Sequence, residues 1–256
     1  MQVSDLTMRF GGITAIDNLS FDVEEGSITS LIGPNGSGKT SLFNCVTGFY
    51  RATAGEILFC GESLIGVKPY LITYKGVVRT FQNVRLFKNM TVLENVMSGA
   101  HRTGRQSIGG ALLRHKTERD EERRILESAH YYLDYVGILD KKDALSKNLS
   151  YGDQRRVEWA RALCAKPKIL LFDEPAAGLN REEKTRLIEL IHSIRKDFGI
   201  TVFLIEHDME LVMNISEKVI VVNFGTKIAE GTPAVIQSDP FVVEAYLGSE
   251  EDALAV

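Results

Sequence analysis

Strand-length apolar runs alternate with helix-compatible stretches at both ends of the chain, and a long helical pattern interrupts them in the middle. Val3–Phe10 and Ile13–Val23 are β-compatible runs on either side of Gly11-Gly12, a hairpin signal. An apolar run from Ile28 gives way to a glycine-rich turn, PNGSGKT, and then to a helix-compatible SLFNCV that Gly48 stops. Glu56–Cys60 and Val77–Phe81 are further short runs. Thr91-Val92-Leu93-Glu94 reads as a capping box opening a helix to about Gly99, and Thr117 with Asp120 opens another to about Val136. Ile125, Leu126, Ala129, Leu133 and Val136 form the apolar face of that second helix, and the charges of Glu118–Arg124 form its solvated face. Between the two, His101–Lys116 reads as a loop or a loosely helical insertion. Lys168–Phe172 and Thr201–Ile205 are buried-strand runs separated by a helix over Arg181–Asp197, which Asn180 and Glu183 cap. Val219–Val222 and Lys227–Ala229 are strands around Gly225; Thr232-Pro233 and Asp239-Pro240 each start a helix. The tail after Gly248 is expected to fray.

This order predicts one α/β domain. Residues 1–85 and 167–256 form a core with a mostly parallel sheet and an antiparallel β subdomain, and a helical subdomain spans about 86–166. With 256 residues, 44% of them apolar and 25% charged, the chain suits a globular protein with a substantial core. A formal net charge of −4 gives no electrostatic case for nucleic-acid binding. No apolar run reaches the roughly 18–20 residues that span a bilayer, and no signal-peptide pattern opens the chain, so a cytoplasmic location is expected. Any contact with a membrane is then made through a partner. Cys45, Cys60 and Cys164 are isolated and read as reduced thiols.

Chemistry concentrates in the glycine-rich turn. Gly33, Pro34, Asn35, Gly36, Ser37, Gly38, Lys39 and Thr40, followed by Ser41, fit the G-x-x-x-x-G-K-[ST] phosphate loop between a strand and a helix. Glycines let the backbone wrap a phosphate closely, and amides at the helix start point at the anion. Lys39 adds a point charge for the β- and γ-phosphates, and Thr40 offers a hydroxyl to Mg²⁺. The chain therefore binds a nucleoside triphosphate. Asp173 and Glu174 leave the end of a buried strand, where acids are placed to hold a cation and to orient or deprotonate a water. His207 leaves the next strand in the same relative place; it is either structural or a hydrogen-bond donor to a γ-phosphate. Gln82 reaches Mg²⁺ or a water, or simply caps a loop. Phe10 stacks on adenine or is an ordinary hairpin aromatic. Val84, Leu86 and Phe87, within Val84–Met90, are equally a docking groove or core packing.

Leu149-Ser150-Tyr151-Gly152-Asp153-Gln154 is, by local physics, a helix N-terminus with Ser150 as cap and Asp153 as the reciprocal acid. It precedes the Asp173-Glu174 strand by one helix, as the LSGGQ signature does in ABC-type ATPases. With GPNGSGKT, RTFQN, LLFDEP, AAGLN and LIEHD in order, the chain resembles that family along almost its full length. VRTFQNVRLF, MTVLENV, FDEPAAGLN and LIEHDMELV resemble most the ATP-binding subunits of branched-chain amino-acid importers. The resemblance implies a P-loop NTPase core that uses ATP and Mg²⁺. In it Phe10 stacks on adenine, and Gln82 links Mg²⁺ and water to the helical subdomain. Asp173 and Thr40 serve the metal, Glu174 is the general base, and His207 senses the γ-phosphate. Ser150 to Gln154 then act on ATP held by a second subunit in a head-to-tail dimer. Implied partners are that second ATPase subunit, transmembrane permease subunits and, indirectly, an extracytoplasmic solute-binding protein. The implied location is the cytoplasmic side of the inner membrane. Import of urea or another solute, lipid export, and a soluble nucleotide-switched module are the alternative uses of the same machinery.

Three residues depart from the family pattern. Tyr151 replaces a glycine, Asp153 a glutamine, and Asn180 stands where many members carry aspartate. A carboxylate facing phosphate oxygens is repelled, so Asp153 is expected to turn back on its own amide.

Overall fold

The computed structural model describes residues 1–100 and 116–246. They form two compact units, one of Met1–Arg79 with the chain from Lys168 onward, the other of Thr80–Pro167.

The first unit holds two sheets. β1 (Gln2–Phe10), β2 (Ile13–Asp22), β4 (Ala54–Phe59) and β5 (Glu62–Ser63) form an antiparallel sheet in the order β2-β1-β4-β5. β3 (Ile28–Ile32), β6 (Val77–Arg79), β7 (Ile169–Asp173), β8 (Thr201–Ile205), β9 (Lys218–Asn223) and β10 (Thr226–Gly231) form the second sheet, ordered β10-β9-β3-β8-β7-β6. Only the β9–β10 pair is antiparallel there. Every residue of β3, β7 and β8 is buried, which is why these strands lack a polar-apolar alternation; β3 even buries Thr29 and Ser30. Helices α1 (Lys39–Val46), α2 (Pro69–Lys75), α6 (Arg181–Phe198), α7 (Met209–Ile215) and α8 (Pro233–Gln237) belong to this unit. Phe43 of α1 and Phe21 of β2 both pack on Phe203 of β8, with ring centroids 5.2 and 5.8 Å apart, so one core joins the two sheets.

The second unit is built on α3 (Val92–Ala100), α4 (Lys116–Tyr135) and α5 (Tyr151–Cys164). Thr91 caps α3 as its sequence foretells. The Glu94 amide donates to Thr91 Oγ1 at 3.2 Å, and the Thr91 amide donates to Glu94 Oε2 at 2.7 Å. Ile125, Ala129, Leu133 and Val136 are buried along α4 and its end. Since α4 already contains Thr117, that residue is not its cap. The His101–Lys116 insertion, all but its last residue, and the tail after Gly248 lie outside the described residues.

Other differences are small. β6 stops at Arg79 rather than Phe81, and Thr232 starts α8 without a side-chain cap. The seven-residue α2 and two-residue β5 carry no hydrophobic period and were not expected.

Candidate active site

The phosphate loop joins β3 to α1, and its glycines have two different jobs. A Cβ on Gly33 (φ +153°) would lie 2.0 Å from the Val222 carbonyl oxygen, and one on Gly38 (φ +101°) 2.3 Å from that of Ala15. These two are glycine because β9 and β2 press against the loop. Gly36 (φ +80°) has open space where its Cβ would be, with exposed Asn35 beside it, and is the part of the loop free to approach a ligand. Pro34 and Ser37 complete the turn through a Ser37 amide to Pro34 carbonyl bond of 3.2 Å. The Gly225 amide, in the β9–β10 turn, donates to the Ser37 carbonyl at 3.1 Å, so the loop is clamped from outside.

Lys39 is buried, and its ammonium donates to the carbonyls of Gly33 (2.6 Å) and Pro34 (2.8 Å). Burial lowers its pKa, while the charges of Glu174 and Asp173 act to raise it. Thr40 is exposed and Ser41 half-buried on the first turn of α1. Phe10 ends β1, two-fifths exposed, edge-on to Tyr50 with centroids 5.2 Å apart, which leaves ring surface open to solvent.

Asp173 ends β7, and Glu174 follows in a left-handed conformation, φ +48°, that side chains rarely adopt. The turn is held there. The Glu174 amide donates to the Ile205 carbonyl at 2.9 Å, and the Ala176 amide donates to Glu206 Oε1 at 2.7 Å. Glu206 also accepts from the His207 amide at 3.2 Å, so one buried carboxylate fixes both the Glu174 turn and the start of the His207 segment. His207 Nδ1 lies 3.6 Å from Glu174 Oε2. Asp173 Oδ2 accepts from the Arg79 guanidinium at 2.5 Å.

In the second unit, Gln82 is exposed, and its carbonyl oxygen accepts from Arg155 at 3.1 Å and from the Tyr151 hydroxyl at 3.4 Å. Arg155 also donates to the Tyr151 oxygen at 2.8 Å and lies over its ring. Tyr151 thus has a partner that a glycine would lack. Ser150 caps α5 by accepting from the Asp153 amide at 3.2 Å. The Asp153 carboxylate does not turn back on the backbone as expected. Lys141 donates to it at 2.6 Å, because a nearby ammonium satisfies a carboxylate better than a peptide amide does. Gln154 donates to the Leu149 carbonyl at 3.0 Å, and Gly152 lies in the first turn between these residues. Phe87 and Met90 are exposed whereas Val84 and Leu86 are half-buried, so Val84–Met90 mixes surface with packing.

This geometry can be compared with that of known proteins. The family model described as ABC transporter matches residues 16–177, and the phosphate loop, the Ser150 helix and the Asp173-Glu174 strand all fall within that match. The chain belongs to the ABC transporter family. A second model, described as branched-chain amino acid ATP-binding cassette transporter, matches residues 226–252. The chain is 47% identical to the high-affinity branched-chain amino acid transport ATP-binding protein BraF of Pseudomonas aeruginosa, over 97% of both chains. It is 46% identical to LivG of Escherichia coli, a protein of the same description, over the same shares. Among solved structures, an ATP-binding cassette of an ABC transporter in its ADP conformation superposes with a TM-score of 0.83 at 33% identity, covering 96% of this chain and 98% of that one. The P-loop NTPase fold with its mixed sheets is therefore the fold of an ABC cassette, and the chain is an ATP-binding ATPase subunit of a transporter. Among the described residues no helix is long and apolar enough to cross a membrane.

The residues present fit ATP and a hard cation. The open Gly36 backbone, the α1 amides and a desolvated Lys39 suit a polyphosphate, and the Thr40 hydroxyl and Asp173 carboxylate are the oxygen donors Mg²⁺ takes. Two residues at this site have no role assigned from the sequence. Arg79 and Glu206 lie inside RTFQN and LIEHD, but the groups they bind are far along the chain, and nothing local in either stretch names those partners.

Proposed function

We propose that this ATPase powers import of branched-chain amino acids through permease subunits, by ATP-driven closure of two cassettes. The reading rests on one observation above all: Glu174 is held at a strained backbone position beside His207, in the unit that carries Lys39 and Asp173. Hydrogen bonds around that turn hold the Glu174 backbone in place, which suits a carboxylate that must meet a substrate in a fixed geometry. In this reading Glu174 orients and takes a proton from the water that attacks the γ-phosphorus, the bond to the β,γ-bridging oxygen breaks so that ADP and phosphate leave, and His207 donates to a γ-phosphate oxygen. Lys39 and the loop amides of Gly33 to Ser41 carry the phosphates, and Phe10 covers the adenine. Mg²⁺, when bound, would neutralise phosphate charge, with Thr40 and Asp173 as the residues of this unit that would hold it. Ser150, Tyr151, Gly152, Asp153 and Gln154 complete the site of a second copy or a sister subunit head-to-tail. Closure then supplies contacts that exist only with the triphosphate, and that difference in binding is what drives a partner. The helical region, about 86–166, is the part that answers to the permease at the cytoplasmic face of the inner membrane.

The cargo rests on whole-length similarity to proteins described as branched-chain amino acid transporters' ATP-binding components. The mechanistic test is Glu174→Gln. It is expected to bind ATP as the wild type does, to lose turnover by at least about a hundredfold, and to accumulate as a dimer in gel filtration. Turnover within a few-fold of wild type removes the assigned base. For the cargo, ATPase activity of the reconstituted transporter should rise with leucine-loaded binding protein; a response to urea in its place transfers the assignment.

A further inference from the structure

The acid that the proposed function gives to the cation is already paired. Arg79, at the end of β6, and Asp173, at the end of the neighbouring β7, are buried to 5% and 8% side-chain exposure, with Nη2 and Oδ2 2.5 Å apart. Arg79 does not reach Asp173 by chance of rotamer. Its other terminal nitrogen donates to Asn44 Oδ1 at 2.7 Å, and its guanidinium lies 5.4 Å from the Phe43 ring centroid. Both residues belong to α1, the helix that follows the phosphate loop. The guanidinium is thus bolted to α1 on one side and to the strand-end acid on the other. Such a pair is costly to bury unless its geometry is good, and here both terminal nitrogens of the fork are engaged.

We propose that Arg79 is a positioning residue that acts as the resident counter-ion of Asp173, so that a divalent cation entering with nucleotide must share or displace it. This rests on the reading of Asp173 as the magnesium acid. Two effects of one sign follow. The guanidinium occupies a carboxylate oxygen, and its positive charge repels a dication at short range. Both raise the magnesium concentration needed to organise the site. In return, Arg79 keeps a buried carboxylate paired whenever the cation is away, and Asn44 transmits any displacement of Arg79 to the phosphate-loop helix.

The test measures binding rather than turnover. A fluorescent ATP analogue is titrated onto full-length protein at pH 8 over a series of magnesium concentrations, in wild type, Arg79→Met, Arg79→Lys and Asn44→Ala. Arg79→Met should lower the half-saturating magnesium concentration by about tenfold, and its thermal midpoint should be lower than wild type without magnesium but regain most of the loss with magnesium and nucleotide. Arg79→Lys should fall between the two, since it keeps the charge and loses the fork. Should Arg79→Met not fold, Asn44→Ala, which removes one of the contacts holding the guanidinium to α1, carries the test with a smaller shift in the same direction. An unchanged or increased magnesium requirement in the folded variants overturns the proposal. Failure of the wild type to bind the analogue at any magnesium concentration would instead overturn the nucleotide-site reading beneath it.

Discussion

Each of the two units hides one glutamate that fastens the backbone of the segment carrying its candidate residue. In the first unit Glu206, at 0% exposure, accepts from the Ala176 and His207 amides and so sets the turn after Glu174. In the second Glu158, at 1% exposure, accepts from the Phe81 amide at 3.3 Å, one residue before Gln82. Burial raises the pKa of both carboxyls above the ordinary value. The difference lies in what surrounds them. Glu206 spends both oxygens on backbone in a unit where the neighbouring chemistry is strained, buried and paired. Glu158 holds a loop whose glutamine side chain is exposed, and whose carbonyl is gripped from the other side by Tyr151 and Arg155. The first arrangement makes a rigid reaction centre; the second makes a handle, fixed at its backbone and open at its tip.

That contrast can be broken most forcefully at Glu206. Glu206→Ala leaves the buried Ala176 amide and the part-buried His207 amide without this acceptor and should cost about 2–3 kcal/mol of stability, with turnover falling at least about tenfold because the turn after Glu174 loses one of its two anchors. Denaturant unfolding and steady-state ATPase assays measure the two losses. Glu158→Ala removes one such bond and should cost about 1–2 kcal/mol, sparing nucleotide affinity. The raised pKa of Glu206 adds a sign. The folded state holds that proton more tightly than the unfolded chain, so its ionisation removes stability as pH rises from the ordinary carboxylate range through the folded pKa. Relative to wild type, Glu206→Gln should therefore lose less stability as pH rises through that window. An identical pH slope in the two proteins would detach the glutamate from this role.

Why these glutamates escaped a reading of the sequence is a matter of range. The phosphate loop, the Asp173-Glu174 strand end and the Asn180 capping box are local patterns in which the residues that act together are neighbours in the chain. The capping box is present as read, with both reciprocal bonds formed. Arg79 and Asp173, by contrast, are 94 residues apart, and Ala176 and Glu206 are 30 apart. Only the sheet order, with β7 between β6 and β8, brings them together. In Glu206-His207-Asp208 the sequence offers chemistry only for the histidine, whereas the bonds that make Glu206 matter run to the Ala176 and His207 amides and are visible only in the fold. The glycines mislead in the opposite way. Gly33 and Gly38 fit a phosphate pattern, yet the atoms that exclude a side chain there belong to Val222 and Ala15.

The handle of the second unit is probed more gently. Tyr151→Phe keeps the ring beneath Arg155 but removes the hydroxyl that bonds both Arg155 and the Gln82 carbonyl. A loss of about 1 kcal/mol is expected. Amide hydrogen exchange should quicken in the segment around Gln82 and remain unchanged in β3, β7 and β8. Unaltered protection around Gln82 would reduce the tyrosine to a surface residue.

The smallest effect belongs to Lys141 and Asp153, and it sharpens the distinction between a buried charge and a surface one. Partial burial pushes the Asp153 carboxyl up, but hydrogen bonds from Lys141 and Ser150 outweigh it and leave the pKa below the ordinary value. The folded state thus favours the ionised form. The pair adds stability above the unfolded pKa, and that contribution is lost as pH falls through the lowered one. Lys141 is 43% exposed, so solvent and salt screen the pair, and Lys141→Ala should cost no more than about 0.5 kcal/mol at moderate salt. Its second consequence is for the anion that α5 is proposed to face. An Asp153 without its lysine presents a full negative charge at the helix start, where the dipole otherwise favours phosphate. Lys141→Ala should therefore weaken ATP-driven dimerisation of the Glu174→Gln protein by more than it weakens folding, and Asp153→Gln added to it should restore the dimer. Equal dimerisation in all three proteins would mean that the Asp153 charge never meets the nucleotide.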